Sequence, residues 1–282
     1  MAGTDTKEIS GQKAESPVVR FFKENLGILI ALIALCLILT VNPATSRTFL
    51  TSQNIFNMLR QTSTNLYIAC GMTMVIILGG IDLSVGSIIA AGCVVHYHFP
   101  IVIAILVGIL VGLLVGLFNG VVIAKTTIPA FIVTLATMNI ARGFAYVYTG
   151  GSPVRVITKE WQFIGGGYVG IFPVPVIILF IVLILTGLIM NKTRLGRYIY
   201  AVGGNAQAAE FSGINVAKVK FLVQVFSGIM AGLAGIVLAS RMYSGQPTAG
   251  EGAEMDAIAA VVVGGTSMSG GRGTIVGTVL GM

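Results

Sequence analysis

Residues 101–125 read IVIAILVGILVGLLVGLFNGVVIAK. The run carries no charge before Lys125 and exceeds the roughly 20 apolar residues needed to cross a bilayer as a helix. Within it Gly108, Gly112, Gly116 and Gly120 recur every four residues, which makes one helix face smooth. Lipid offers no hydrophobic drive between helices, so association rests on close packing, and small residues at this spacing allow it. Gly228 and Gly232 repeat the interval further along. The spacing leaves open whether the neighbour of this face lies in the same chain or in a second copy.

The composition extends this reading to the whole chain. Of 282 residues, 55% are hydrophobic and 10% charged, where a soluble domain carries about 25% charged residues. This is the composition of an integral membrane protein. The formal charge of +7 comes mainly from the N-terminal tail and loops, as orientation signals do. No interleaving of basic and aromatic residues suggests a nucleic-acid surface. Cys36, Cys70 and Cys93 fall in apolar segments without CxxC spacing, so buried free thiols are expected. His96 and His98, in HYHFP, lack a third ligand and are expected at the membrane interface, with no metal. There is no P-loop, HExxH or GxSxG, hence no catalytic residue.

Outward from 101–125, the apolar runs order the chain. Residues 1–24 form a tail with Lys7, Lys13, Arg20 and Lys23, held in the cytoplasm, and residues 25–282 form the transmembrane domain. Spans are expected at 25–41, 61–80, 83–96, 101–124, 128–141, 171–190 and 221–240. The segment 47–60 either lies at the interface or begins the second helix, and the fifth span is open to continuation past Arg142. The stretch 149–168 is expected to be an external loop. The run 257–263 is too short to span and predicts a broken or re-entrant helix, which must be buried in protein or line a cavity.

Two polar stretches interrupt these runs. Residues 191–220, NKTRLGRYIYAVGGNAQAAEFSGINVAKVK, carry Lys192, Arg194, Arg197, Lys218 and Lys220 against Glu210, which keeps them inside. Gly203 and Gly204 are expected to break the preceding structure. Asn205 would cap a two-turn helix over AQAAEF, and Gly213 would stop it in the left-handed conformation. Such an element suits a soluble partner, or is an ordinary inner loop. The second stretch is GGIDLSVG at 79–86. Asp82 at mid-helix would cost about 2.5–3.5 kcal/mol on insertion scales, so it belongs at a break. Either Asp82 or Ser84 caps the next helix, or Asp82 lies on a transport path. GGTSMSGG at 264–271 echoes this stretch and suggests an internal repeat.

GIDLSVGS at 80–87, TRLGRYIYAVGGN at 193–205, AAEFSGINVAKVK at 208–220 and QPTAGEGAEMDAIAAVVVGGTSMSGGRGTIVGT at 246–278 resemble the permease subunit of bacterial ABC sugar importers. That family also handles xylose, arabinose, galactosides and autoinducer, and the likeness is closest to its ribose-carrying members. The resemblance implies an all-α polytopic membrane helix bundle in the bacterial inner membrane, working as a homodimer in the lipid bilayer. It implies a cytoplasmic ATP-binding subunit that holds ATP and Mg, and a periplasmic or extracellular sugar-binding protein that delivers a pentose. Gly203, Gly204, Asn205, Ala206, Ala208, Ala209, Glu210 and Gly213 would sit in the loop that couples to the ATPase. Asp82, Ser84 and Gly86 lie in the first matching motif. The loops 149–160 and 241–256 would face the binding protein. For a neutral sugar the path should be polar and uncharged, with Thr134, Thr137 and Asn139 as candidates or else as makers of interhelical hydrogen bonds. Relatives continue past GTIVGT with further apolar helices, so a shortened C-terminus is expected at Met282. The competing reading is a self-sufficient ion-coupled carrier or channel that uses Asp82.

Overall fold

The computed structural model describes residues 17–88, 100–155 and 158–282. The expectations for Cys93, His96, His98 and most of the span 83–96 lie outside the described residues. The described helices are α1 (Pro17–Val41), α2 (Ser52–Ile77), α3 (Ile101–Lys125), α4 (Ala130–Thr149), α5 (Lys159–Gly166), α6 (Val174–Lys192), α7 (Arg194–Gly204), α8 (Ala206–Phe211), α9 (Val216–Met242), α10 (Ala253–Val263) and α11 (Ile275–Gly281). The only described strands are two-residue pairings of β1 (Val154–Arg155) with β4 (Ser244–Gly245) and of β2 (Tyr168–Val169) with β3 (Phe172–Pro173), both antiparallel. The chain is an all-α polytopic helix bundle. The helices α3, α4, α6 and α9 are long and apolar enough to cross a membrane.

α9 and α2 form the centre. The most apolar window of α9 is 61% buried against 22% for that of α3, so α3 turns most of its apolar surface outward and α9 turns its own inward. The smooth face of α3 is what α9 packs on. A Cβ on Gly112 would collide with the carbonyl of Gly228, and a Cβ on Gly228 with that of Gly112. Gly116 and Gly232 are similarly close to the facing backbone, and at Gly120 a Cβ would come within 3.0 Å of Phe221. The two glycine stripes therefore face each other within one chain.

Two boundaries that the sequence left open, at 47–60 and past Arg142, are now decided, and others differ from expectation. α2 begins at Ser52, where the Thr51 hydroxyl accepts from the backbone N–H of Asn54, so most of 47–60 belongs to the second helix. α1 reaches back to Pro17, and α4 continues to Thr149, where Gly150 at φ 60° ends it. The segment 149–168 is not simply a loop. It contains α5, whose Trp161 is buried and whose Gly165 fits against the backbone of Val237 and Arg241. α7 ends at Gly204 and α8 starts after Asn205, so the break falls at the glycine pair as expected. Gly203 has a second use, since it lies so close to the carbonyl of Ile77 that no side chain fits.

α10 and α11 form the broken helix expected near 257–263, in a hairpin whose arms approach at Gly264 and Gly277. The echo between 79–86 and 264–271 is structural but shifted by one residue. Gly79 and Gly265, at φ 78° and 86°, occupy the same place in two alike helix ends. The N–H of Gly79 bonds Ile76 O and that of Gly80 bonds Val75 O, while Gly265 bonds Val262 O and Thr266 bonds Val261 O. Each set is a Schellman motif, in which glycine in the left-handed region lets the last carbonyls be satisfied. The two turns also touch, because Gly271 N donates to Ile77 O across 2.8 Å.

Candidate functional site

Two regions gather the residues singled out in the sequence. In the segment 191–220, the Asn205 side chain accepts from the N–H of Ala208 at 2.9 Å and starts α8. Gly213, at φ 83°, closes α8 by bonding Glu210 O, and Ile214 bonds Ala209 O. Capping matters here because six residues cannot hold a helix by propensity alone. Ala209 supplies the anchor. It is 5% exposed, in an apolar cluster with Met74, Ile77, Ile199, Val219 and Val223. Ala208 and Glu210 face outward, as do Gly204, Asn205, Ala206 and Gly213, with Gly203 half-buried. At the tip Phe211 is 92% exposed. It is a large apolar side chain exposed on a helix that is capped at Asn205 and anchored through Ala209.

Behind α8, the hydroxyl of Tyr200 on α7 donates to Gly273 O at 2.8 Å. Burial pushes the Tyr200 phenol up from its ordinary value, which keeps it neutral and able to donate. Together with the contacts of Gly203 and Gly271 at Ile77, this bond ties α7 to the C-terminal end of α2 and to the turn after α10. α8 follows directly on α7 and is joined through it to α2 and to the turn after α10.

The second region is the break at 79–86. Asp82 is 1% exposed, and its two oxygens are occupied. Oδ1 accepts from the backbone N–H of Ser84 at 3.0 Å and from its hydroxyl at 2.6 Å, while Oδ2 accepts from Ser227 on α9 at 2.7 Å. Asn119 on α3 donates to Ser84 Oγ at 3.0 Å and accepts from Thr137 on α4 at 2.7 Å. Thr134, also on α4, accepts from Leu83 N and donates to Ile81 O. Asp82, Ser84, Thr134 and Thr137 thus share one buried network that joins the break to α3, α4 and α9. Ser84 supplies the first carbonyl of the helical turn that follows, and Asp82 holds Ser84 in place. Gly86 belongs here too, since a Cβ on it would collide with the Glu254 carboxylate and the Gly250 carbonyl. Asn139 does not. It is exposed, and its Nδ2 bonds only Leu135 O.

Three participants were not foreseen. Asn119 and Ser227 sit inside apolar runs, and a lone Asn among some twenty apolar residues is a signal that could have been used. Ser227 lies one residue before Gly228 in the packing stripe, where nothing marks it as polar glue. Phe211 looks like any apolar helix residue until its exposure is known. Arg142 bonds Pro247 O and Ala249 O at 2.8 Å each and so pins the loop before α10 onto α4.

Residues 54–282 match the family model described as branched-chain amino acid transport system / permease component. The chain belongs to this family. It is 45% identical over 271 residues to the ribose import permease protein RbsC of Haemophilus influenzae, covering 93% of this chain and 83% of that protein. It is 48% identical over 268 residues to the ribose import permease protein RbsC of Bacillus subtilis, covering 92% and 82%. A 35% identity over 325 residues links it to the xylose transport system permease protein XylH of Haemophilus influenzae, covering 91% and 87%. No solved structure matches. As a permease component the chain is a non-catalytic part of a transport system, and its apolar helices make it a multi-pass protein of the bacterial inner membrane.

Proposed function

We propose that this chain is the membrane permease of an ATP-driven importer for ribose or a related pentose. The observation that carries the reading is its 45–48% identity, over more than nine-tenths of its length, to permeases named for ribose import. The anchored, outward-facing α8 adds physical support, since a channel that needs no partner has no use for a rigid apolar knob at its inner face. In this reading α8 docks in a cleft of a cytoplasmic ATP-binding subunit, with Phe211 inserted and Ala208 and Glu210 flanking it. ATP-driven closure of that subunit moves α8, and α7 passes the movement to the inner end of α2 and to the α10–α11 hairpin. Two copies of the chain flank the path, and an external sugar-binding protein loads it from the side of loops 149–160 and 241–256. Inverted movement of helix groups around a central site then alternates access.

The ion-coupled reading of Asp82 is weaker. Both carboxylate oxygens of Asp82 are occupied, by Ser84 and Ser227. The deciding experiment reconstitutes the chain in liposomes with its ATP-binding subunit and binding protein and follows labelled ribose. Uptake that requires ATP and both partners supports the proposal. Uptake that persists without the ATP-binding subunit and is abolished by Asp82→Asn overturns it in favour of ion coupling.

A further inference from the structure

The break after α2, the link between α3 and α4, the first turn of α4 and the start of α9 meet around a cavity of about 330 Å³. Gln224 of α9 lines it and is only 4% exposed. Its Oε1 is buried without a hydrogen-bond partner, and among the described residues nothing engages its Nε2. A buried amide left unpaired is costly, and an occupant that supplies the partner accounts for its place here. Lys220, one helical turn earlier on the same face of α9, also lines the cavity. It is half-buried and makes no ion pair or hydrogen bond among the described residues. At the start of α4, Pro129 offers no side-chain cap, and the N–H groups of Ala130 and Phe131 find no acceptor among the described residues.

Charge and position narrow the occupant. No acid lines the cavity, so Lys220 and the positive end of the α4 dipole act unopposed, which favours an anion. Asp82, next to Ile81, is 1% exposed and turned to Ser84 and Ser227. An ammonium, an amide and two backbone N–H groups come from separate elements. That arrangement suits the four oxygens of a phosphate better than the planar pair of a carboxylate. α3 and α4 are each long and apolar enough to cross a membrane and are joined by residues 126–129 alone, so this link belongs at a bilayer surface. α9 starts beside it, since a Cβ on Gly120 near the end of α3 would come within 3.0 Å of Phe221, the residue after Lys220. Ile128 and Phe131 also line the cavity, are 45% and 48% exposed, and give it an apolar lip. A phosphate beside apolar surface at a bilayer surface is the chemistry of a phospholipid headgroup.

We propose that this cavity binds a phosphate anion, and that its apolar lip assigns the phosphate to the headgroup of an anionic phospholipid. Lys220 supplies the charge, Gln224 and the first N–H groups of α4 supply hydrogen bonds, and the acyl chains lie along Ile128 and Phe131. The inference is independent of the importer reading, because it needs neither a sugar nor a partner protein. It also gives the lipid a structural part. Gly79 and Gly80 line the cavity, and a Cβ on Gly80 would fall 3.5 Å from that of Ala130, so a bound headgroup braces the break that leads to Asp82.

The test titrates the purified, delipidated full chain in neutral detergent with phosphatidylglycerol, phosphatidylcholine or inorganic phosphate. Bound lipid is read by native mass spectrometry and stability by melting temperature. Phosphatidylglycerol should bind and raise the melting temperature, as a ligand of the folded state does, and phosphatidylcholine should do so far less. Lys220→Gln should weaken phosphatidylglycerol binding by about tenfold or more, the scale of a hydrogen bond to a charged group. Lys218→Gln removes the same charge from an exposed site outside the cavity and should change binding by less than about twofold. Gln224→Leu should weaken binding too. A Gln224→Leu chain that is more stable than the parent and binds the lipid unchanged would overturn the proposal, since the amide would then be a mere packing defect. Where Gln224→Leu fails to fold, the contrast between Lys220 and Lys218 decides. Equal losses for those two variants, or equal binding of the two lipids, would overturn the proposal by reducing the effect to general surface charge or general lipid contact. Inorganic phosphate that binds as tightly as phosphatidylglycerol would support the phosphate site and overturn its assignment to lipid.

Discussion

The hydroxyl of Ser227 donates to Oδ2 of Asp82 across 2.7 Å, joining residues 145 positions apart in the chain. The bond ties the break after α2 to the centre of α9, one residue from the glycine that lets α9 lie against α3. Ser227 and Gly71 also approach closely, with a Cβ on Gly71 falling 2.9 Å from the Ser227 Cα. The carboxylate is thus held where α2, α3 and α9 come nearest to one another.

Ser227→Ala should therefore destabilise the protein by about 1–3 kcal/mol, the cost of leaving a buried acceptor unpaired. Asp82→Ala should cost more, since Ser84 and Ser227 both lose their acceptor. Thermal unfolding in detergent measures both, and a Ser227→Ala variant as stable as the parent would show that the bond contributes nothing.

The α3–α9 contact yields a sharper contrast. Gly112→Leu and Gly228→Leu place side chains into the facing backbone and should separate the helices, with losses of about 1–3 kcal/mol or more. Gly143, in α4, has open space around its Cβ position, so Gly143→Ala should be neutral or stabilise by about 0.5–1 kcal/mol. Similar melting shifts for all three would contradict the packing described above.

At the tip of α8, Phe211→Ala should leave folding unchanged and, on the proposed function, weaken binding of the ATP-binding subunit by tenfold or more, as for an interface anchor worth about 2 kcal/mol. Ala208→Glu should act in the same way. Ala209→Glu differs, because Ala209 is buried in the cluster beneath α8 and a carboxylate there would unseat the helix. Binding measured by co-purification, paired with thermal stability, separates the two classes of variant.

Gly203→Val tests the transmission of movement. The Ile77 carbonyl leaves no room for a side chain, so α7 must shift away from α2. The expected outcome is ATP hydrolysis no longer coupled to sugar uptake, read as a fall of at least tenfold in sugar moved per ATP consumed. Normal coupling would show that α7 does not carry the movement.

Much of this protein could be read along the chain because its signals are local. A run of apolar residues has to enter the membrane as a helix, since its backbone has no other way to satisfy its hydrogen bonds there. Asn205 and Gly213 act within a few residues of themselves, so the ends of α8 were foreseeable. The end of α7 at Gly203 and Gly204 was foreseeable too, but glycine serves both to end helices and to let them touch. The second use, at Gly203, depends on Ile77, more than a hundred positions away. For the same reason Thr134 and Thr137 could be noticed as polar residues on one helix, but not assigned to the network around Asp82.

From its sequence alone the chain is determined to be a multi-pass helical membrane protein with a basic segment at 191–220, because hydropathy, charge and helix capping act on neighbouring residues. The pairing of the α3 and α9 glycine stripes, the enclosure of Asp82, the exposure of Phe211 and the cavity between Gln224 and the first turn of α4 were decided only by tertiary structure. Each depends on which distant backbone arrives at a given face, and in a bilayer, where apolar surface favours no particular neighbour, shape and polar contact make that choice.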